Sequence, residues 1–157
     1  MCIFGFRRKR CVLEVVGTIR QVLATAAIWN IPVVVAQGDV KAAFDNMTHD
    51  NIVSSLEQRG AHPFIIAAFL RELMNTVAIA TYASVSSGEF QYSLGGRQGG
   101  TDTPSLWNEI VYTIVNPLDR SWRDRGFGIE VEQGTTITVL VWADNLYFFA
   151  HCIEHVK

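Results

Sequence analysis

The chain has 157 residues and a mass of 17.5 kDa, the length of one domain. Hydrophobic residues make up 49% and charged residues 18%, which supplies a core and excludes intrinsic disorder. Lys and Arg number 13 against 15 Asp and Glu; the net charge of −2 excludes a strongly basic protein that coats nucleic acid, though not a local basic patch.

The chain begins with Met1-Cys2-Ile3-Phe4-Gly5-Phe6, apolar but too short for a signal-peptide core. Arg7-Arg8-Lys9-Arg10 follows it, the reverse of the order a signal peptide needs. Residues 1–10 are expected to be a disordered basic leader, with a nucleic-acid contact or an import signal as the alternatives. Val12, Val15, Val16, Ile19, Val22, Leu23 and Ala26 recur at helical spacing and predict a helix near 11–29. The uncharged run from Gln21 to Gly38 is interrupted by Asn30 and Pro32, so it reads as a helix end, a turn and a strand rather than a membrane span. Val33-Val34-Val35-Ala36 suits a strand buried on both faces.

Thr48 can cap a helix carrying Ile52, Val53 and Leu56, with Gly60 just past its end. Pro63 suits the first turn of another helix, Phe64 to Met74. Val77–Val85 and Phe90–Leu94 predict two strands joined at Ser86-Ser87-Gly88-Glu89. A glycine-rich loop, Gly95 to Gly100, precedes a helix that Thr103 caps, that Pro104 begins and that Pro117 should kink or break. Ile129–Glu132 and Thr136–Trp142 are strand-like, and two apolar runs around Asp144-Asn145 predict a tight hairpin. The expected class is α+β, an antiparallel sheet with helices on one face.

Three cysteines, an odd number, favour reduced thiols over a disulfide framework and so an intracellular setting, nuclear or cytoplasmic. His151, Cys152 and His155 lack a second Cys/His pair at metal-finger spacing. Arg120, Arg123 and Arg125 alternate with Asp119 and Asp124 and read as a solvated helix end.

Asp39 and Asp144 stand apart because each follows an apolar strand. Burying an ionised tip without a partner costs several kcal/mol. Carboxylates on rigid strand ends, aimed at one point, are what a hard divalent cation needs. If the two strands are neighbours, the tips form one Mg²⁺ site; otherwise both are turn residues, a place Asp favours.

Asp39-Val40-Lys41-Ala42-Ala43-Phe44-Asp45 resembles the first palm motif of reverse transcriptases, above all those of non-long-terminal-repeat retrotransposons. The stretch from Gly96 to Asn108 resembles their second motif, with Gln98 and Pro104 at the expected spacing. Trp142-Ala143-Asp144-Asn145 resembles the third, the aromatic-Ala-Asp-Asp hairpin. The three occur in the right order, each on its expected secondary structure.

The resemblance implies a polymerase palm over residues 11–157. It implies RNA-templated addition of deoxynucleotides to a primer 3′ end, with Asp39 and Asp144 catalytic and holding two Mg²⁺ ions, for which Mn²⁺ can substitute. Asn145 would be a weak third metal ligand. Val40, Phe44, Arg97, Gln98 and Gly99 would bind the nucleotide: backbone amides from Val40 to Ala43 toward the triphosphate, Phe44 under the sugar where its ring excludes a 2′-hydroxyl, and Arg97 on phosphate. The partners implied are an RNA template, a DNA primer, deoxynucleoside triphosphates, and fingers and thumb segments; no membrane is implied.

The sequence departs from that pattern in three places. Asn145 replaces the second carboxylate, and a neutral amide is the poorer ligand for Mg²⁺. The second motif continues Gln98-Gly99-Gly100-Thr101 where Gln-Gly-Asp-Pro is usual. Most of the fingers and the thumb are expected to lie outside this chain. The alternative reading is an inactive palm remnant that at most binds protein or RNA.

Overall fold

The computed structural model describes residues 2–91, 93–97 and 99–155. In chain order they form strand β1 (Cys2–Ile3), helix α1 (Val12–Ile28), β2 (Val34–Asp39), α2 (His49–Gln58) and α3 (Pro63–Met74). Four two-residue strands follow, β3 (Val77–Ala78), β4 (Thr81–Tyr82), β5 (Val85–Ser86) and β6 (Phe90–Gln91). Then come α4 (Thr103–Asp124), β7 (Ile129–Glu132), β8 (Thr135–Ile137), β9 (Val139–Trp142) and β10 (Asn145–Ala150). The chain divides into two units, Met1–Lys41 with Val111–Lys157, and Ala42–Ile110.

The first unit is built on a four-stranded sheet ordered β1-β9-β10-β2. β10 pairs antiparallel with β2 over six positions, from Asn145 opposite Asp39 to Ala150 opposite Val34. It pairs antiparallel with β9 on its other side. Val139, Leu140 and Val141 are each at most 1% exposed. Successive strand residues point to opposite faces, so both faces of β9 are covered. On one face, Val15 and Val22 of α1 pack with Phe4, Ile129, Leu140 and Phe149. On the other, Trp122 of α4 meets Phe148 edge-on with centroids 5.8 Å apart. The α+β class is as expected, and the sheet is antiparallel except for the parallel pair of β1 with β9; helices meet both of its faces rather than one.

Four further expectations change. The leader expected over residues 1–10 begins in the sheet instead: Cys2–Ile3 pairs with β9, and Ile3 and Phe4 are 5% and 9% exposed. β2, expected to be buried on both faces, is an edge strand, and its Val35, Gln37 and Asp39 are exposed. Asp119, expected on a solvated helix end, is 2% exposed. It accepts a hydrogen bond from the Thr138 hydroxyl and pairs with Arg123 at 3.2 Å. The stripe Val111, Val115, Asp119, Trp122 follows the helical period and carries Asp119 inward. α4 also runs through Pro117 without a break. At the start of α1, the Cys11 amide donates to Glu14 at 2.9 Å and Arg10 pairs with it, holding its carboxyl below the ordinary range.

In the second unit, the Thr48 hydroxyl oxygen accepts from the Asn51 amide and starts α2, and Gly60 leaves the helix at a φ of 73°. Pro63 opens α3, where His62 Nδ1 accepts from the Phe64 amide at 3.2 Å. Ala43, Met47, Ile52, Ile66, Leu73, Leu106, Trp107 and Ile110 are the buried hydrophobic residues of this unit. The expected single hairpin is two nested ones, β3 with β6 and β4 with β5. The chain reverses at Ala83 and Ser84, with φ of 45° and 68°, rather than at Ser86–Glu89. A two-residue turn with both φ positive matches the twist of a hairpin, which favours the earlier reversal. Among the described residues, no helix is long and apolar enough to cross a membrane.

Burial alone would raise the pKa of Asp119, but the hydrogen bonds it accepts, that of Thr138 among them, and the charge of Arg123 outweigh burial and hold it below the ordinary aspartate value. Its stabilising share is therefore full above that ordinary value and fades as pH falls through the lowered one. Asp119→Ala should cost roughly 2 kcal/mol near neutral pH. In paired thermal melts, the gap to the parent should narrow below about pH 4. A gap that stays constant into acid would show that the charge of Asp119 contributes nothing.

Candidate active site

Two acidic residues 105 positions apart in the chain, as 144 − 39 gives, lie at one end of the first unit's sheet. Asp39 is the last residue of β2, and Asp144 lies in the two-residue turn between β9 and β10. The turn comprises Ala143 and Asp144, one residue earlier than the expected Asp144-Asn145. Asn145 belongs to the ladder, opposite Trp142 on one side and Asp39 on the other. Directly paired residues project to the same face, so Asp39 and Asn145 share a face of the sheet. Gln37, two positions earlier on β2, shares it as well.

A chain of side-chain hydrogen bonds crosses that face. The Gln37 amide donates to Asn145 Oδ1 at 3.1 Å. Asn145 Nδ2 donates to Asp144 Oδ1 at 3.2 Å. The backbone adds a latch: the Val40 amide, just past Asp39, donates to the Asp144 carbonyl at 2.9 Å. That amide, expected to face a triphosphate, is thereby committed to holding the turn. Asp39 is exposed and Asp144 half-buried, so solvent and ligands reach both.

These donors suit a hard cation. Two carboxylates and an amide oxygen are the oxygen ligands that Mg²⁺ takes. The amide at 145 contributes no charge, and its oxygen already accepts from Gln37. By type these are ligands that Mg²⁺ takes, one carboxylate short in charge. Among the described residues, no group of three or more His, Cys, Asp and Glu side chains is placed to hold a metal.

In the second unit, the segment after the first motif is tied to the glycine loop. The Gly95 amide donates to the Met47 carbonyl at 2.7 Å, and the Gly96 amide to the Phe44 carbonyl at 2.9 Å. Both glycines are required by this approach. A Cβ on Gly95 would stand 2.9 Å from the Asp45 carbonyl oxygen at a φ of 87°, and one on Gly96 would stand 2.6 Å from Met47 Cε and Thr103 Cγ2. The Phe44 ring is half-buried and meets Trp107 edge-on with centroids 6.3 Å apart. Arg97 is exposed and faces Asp102 at 3.8 Å. The Thr103 hydroxyl, expected to cap α4, donates instead to the Arg97 carbonyl at 2.8 Å and fixes the loop to the helix start. Gly99 is exposed with open space around its Cα. Gln98 lies outside the described residues.

Sequence reading missed two parts of this arrangement, the Gln37 donor and the latch from Val40 to Asp144. Gln37 carried a signal, an amide two positions before an acid on the same strand face. The latch carried none, because it depends on which strands become neighbours.

A family model described as "Reverse transcriptase (RNA-dependent DNA polymerase)" matches residues 2–157. Among solved structures, the chain is similar to apo telomerase from Candida tropicalis truncated from its C-terminal domain, with a TM-score of 0.53 and 14% identity. The similarity covers 94% of this chain and 30% of that one, so this chain spans under a third of the length of the telomerase chain. No curated protein matches the sequence.

The glycine loop can be tested directly. Gly95→Ala forces a side chain into backbone at a left-handed φ and should cost about 3 kcal/mol or more. Gly99→Ala meets the same φ penalty in open space and should cost roughly 1 kcal/mol. Denaturant melts of the two variants check the order, and equal losses would show that Gly95 is not seated against Asp45.

Proposed function

This chain belongs to the reverse transcriptase family, and from that membership we propose that it carries the acidic centre of a polymerase palm, which adds deoxynucleotides to a primer 3′ end on an RNA template. The observation that carries this reading is the ladder register that sets Asn145 opposite Asp39 with Asp144 in the adjoining turn. A retrotransposon-like source of the non-long-terminal-repeat type is part of the same proposal and rests on the three motifs.

Asp39 and Asp144 would hold two Mg²⁺ ions, with Asn145 as a weak third ligand. Bound there, Mg²⁺ would supply Lewis acidity to a primer 3′-hydroxyl and to the leaving pyrophosphate. The rest falls to the protein. The latch from Val40 and the amide of Asn145 orient Asp144, and Gln37 in turn orients Asn145. Phe44 would exclude a 2′-hydroxyl from the sugar subsite, and Arg97 with the loop at Gln98 and Gly99 would take phosphate.

Asn145 favours a second reading as well. With a neutral amide where a carboxylate is usual, the domain would keep the fold and bind nucleic acid or protein without turnover.

Mn²⁺ titration of the full chain separates the two, followed by primer extension on an RNA template with Mg²⁺ and then Mn²⁺. Asp39→Asn and Asp144→Asn should each abolish specific Mn²⁺ binding. Asn145→Asp should tighten it by roughly tenfold or more, because affinity follows ligand charge, and should raise incorporation. Mn²⁺ binding indifferent to all three substitutions would overturn the metal-site reading. Tight binding with no incorporation, even by Asn145→Asp, would favour the inactive remnant.

A further inference from the structure

The basic run Arg7-Arg8-Lys9-Arg10 takes no part in the site described so far. The residues before it decide where it sits. β1 lies beside β9 in parallel register, Cys2 with Leu140 and Ile3 with Val141. The Phe4 amide extends that ladder by donating to the Val141 carbonyl at 2.9 Å. Gly5 then lies against the turn that carries Asp144. A Cβ built on Gly5 would stand 2.3 Å from the Ala143 nitrogen and 3.1 Å from its Cα. Only a residue without a side chain lets the chain pass so close.

Beyond Gly5 the backbone folds back twice. Phe6 and Lys9 take left-handed φ of 53° and 62°, and the Arg10 amide donates to the Arg7 carbonyl at 3.1 Å. Arg10 closes the far end: its guanidinium lies over the Phe4 ring, 5.6 Å from the centroid, and pairs with Glu14 at 2.8 Å. Both ends of the run are thus fixed to the unit that holds Asp39 and Asp144. Between them, Arg7, Arg8 and Lys9 are exposed, and among the described residues none pairs with a carboxylate. They follow Gly5 by two to four residues, at most ~14 Å of chain. Three exposed cations that pair with no described carboxylate, in a chain of net charge −2, are a local field that attracts a polyanion.

We infer that Arg7, Arg8 and Lys9 form a phosphate-contact surface for a nucleic-acid backbone, held beside the Asp144 turn by β1 and by the seat of Gly5. The inference rests on the polymerase reading for the kind of polyanion, an RNA–DNA hybrid. Phosphate contacts position a duplex without reading its sequence. Binding through this surface is therefore independent of sequence and steeply dependent on salt.

The experiment is fluorescence anisotropy of the full chain with a labelled RNA–DNA hybrid over a salt series. It compares the parent with the triple variant Arg7→Ala, Arg8→Ala, Lys9→Ala and with single Arg8→Glu. Melting temperatures are recorded alongside and should not move, because all three side chains are exposed. The triple variant should bind at least ~10-fold more weakly at ~0.1 M salt, and its log K against log salt should be shallower by about 2 to 3. Arg8→Glu should weaken binding in the same direction. Parent-like affinity and slope in both variants would overturn the inference, as would a parent that fails to bind the hybrid at low salt. Retained hybrid binding with loss of binding to phosphatidylserine vesicles would overturn it too, assigning the run to a membrane surface. The Mn²⁺ titration of Asp39→Asn keeps the two claims apart. If that substitution leaves metal binding unchanged while the triple variant loses the hybrid, the polymerase reading fails and the phosphate surface stands. The opposite pair of results removes the surface and keeps the reading.

Discussion

The antiparallel ladder between β2 and β10 is the constraint on which the acidic centre depends. Shifting it by one residue would move every β10 side chain to the other face. Asn145 would then leave the face of Asp39, and the bonds from Gln37 to Asn145 to Asp144 would be lost. Buried apolar groups hold the register. Phe149 and Ala150 are 3% and 2% exposed, and Phe149 packs with Leu140 and Val22. A slip would expose the Phe149 ring, and burying a ring of that kind is worth about 1.5–3 kcal/mol. The hydrophobic effect at one end of β10 thus decides which polar groups meet at the other.

The acidic end is polar without being isolated. Asp39 is exposed at the end of an edge strand, where water lowers the cost of its charge. Asp144 is oriented by a donated hydrogen bond from Asn145, and its carbonyl is held by the Val40 amide. A carboxylate at position 145 could not make that donation. The amide therefore exchanges ligand charge for a neutral bond that orders Asp144. Asp119 shows the opposite solution in the same unit, a carboxylate taken out of water and supplied with donors.

Local patterns in the sequence are legible where one periodicity or one cap decides the outcome. The apolar spacing from Val12 to Ala26 is enough to recognise α1, and Thr48 and Pro63 mark the starts of α2 and α3. The order Asp39, glycine loop, Asp144 is enough to recognise the family whose model matches residues 2–157. What stayed hidden depends on neighbours far away in the chain. Val33 to Ala36 reads as a fully buried strand because nothing local says that β2 ends the sheet. Residues 2–10 read as a leader because two strand residues carry almost no periodic signal. Asp119 reads as solvated because its alternating charged neighbours mask the helical stripe it continues. The Val40 amide has no local signature, since its acceptor lies on another strand.

The nested hairpins of the second unit have a consequence for motion. β4, β5 and β6 are exposed at every described position, with Tyr82 at 86% and Val85 at 73%. Two-stranded ribbons of this length are marginal without a covering layer. Opening this arm uncovers little apolar surface, so it unfolds locally at a small fraction of the free energy that opens the central sheet. Its amide hydrogens trade with solvent long before those of β10, and a protease finds the segment from Thr81 to Ser86 before it finds either acid.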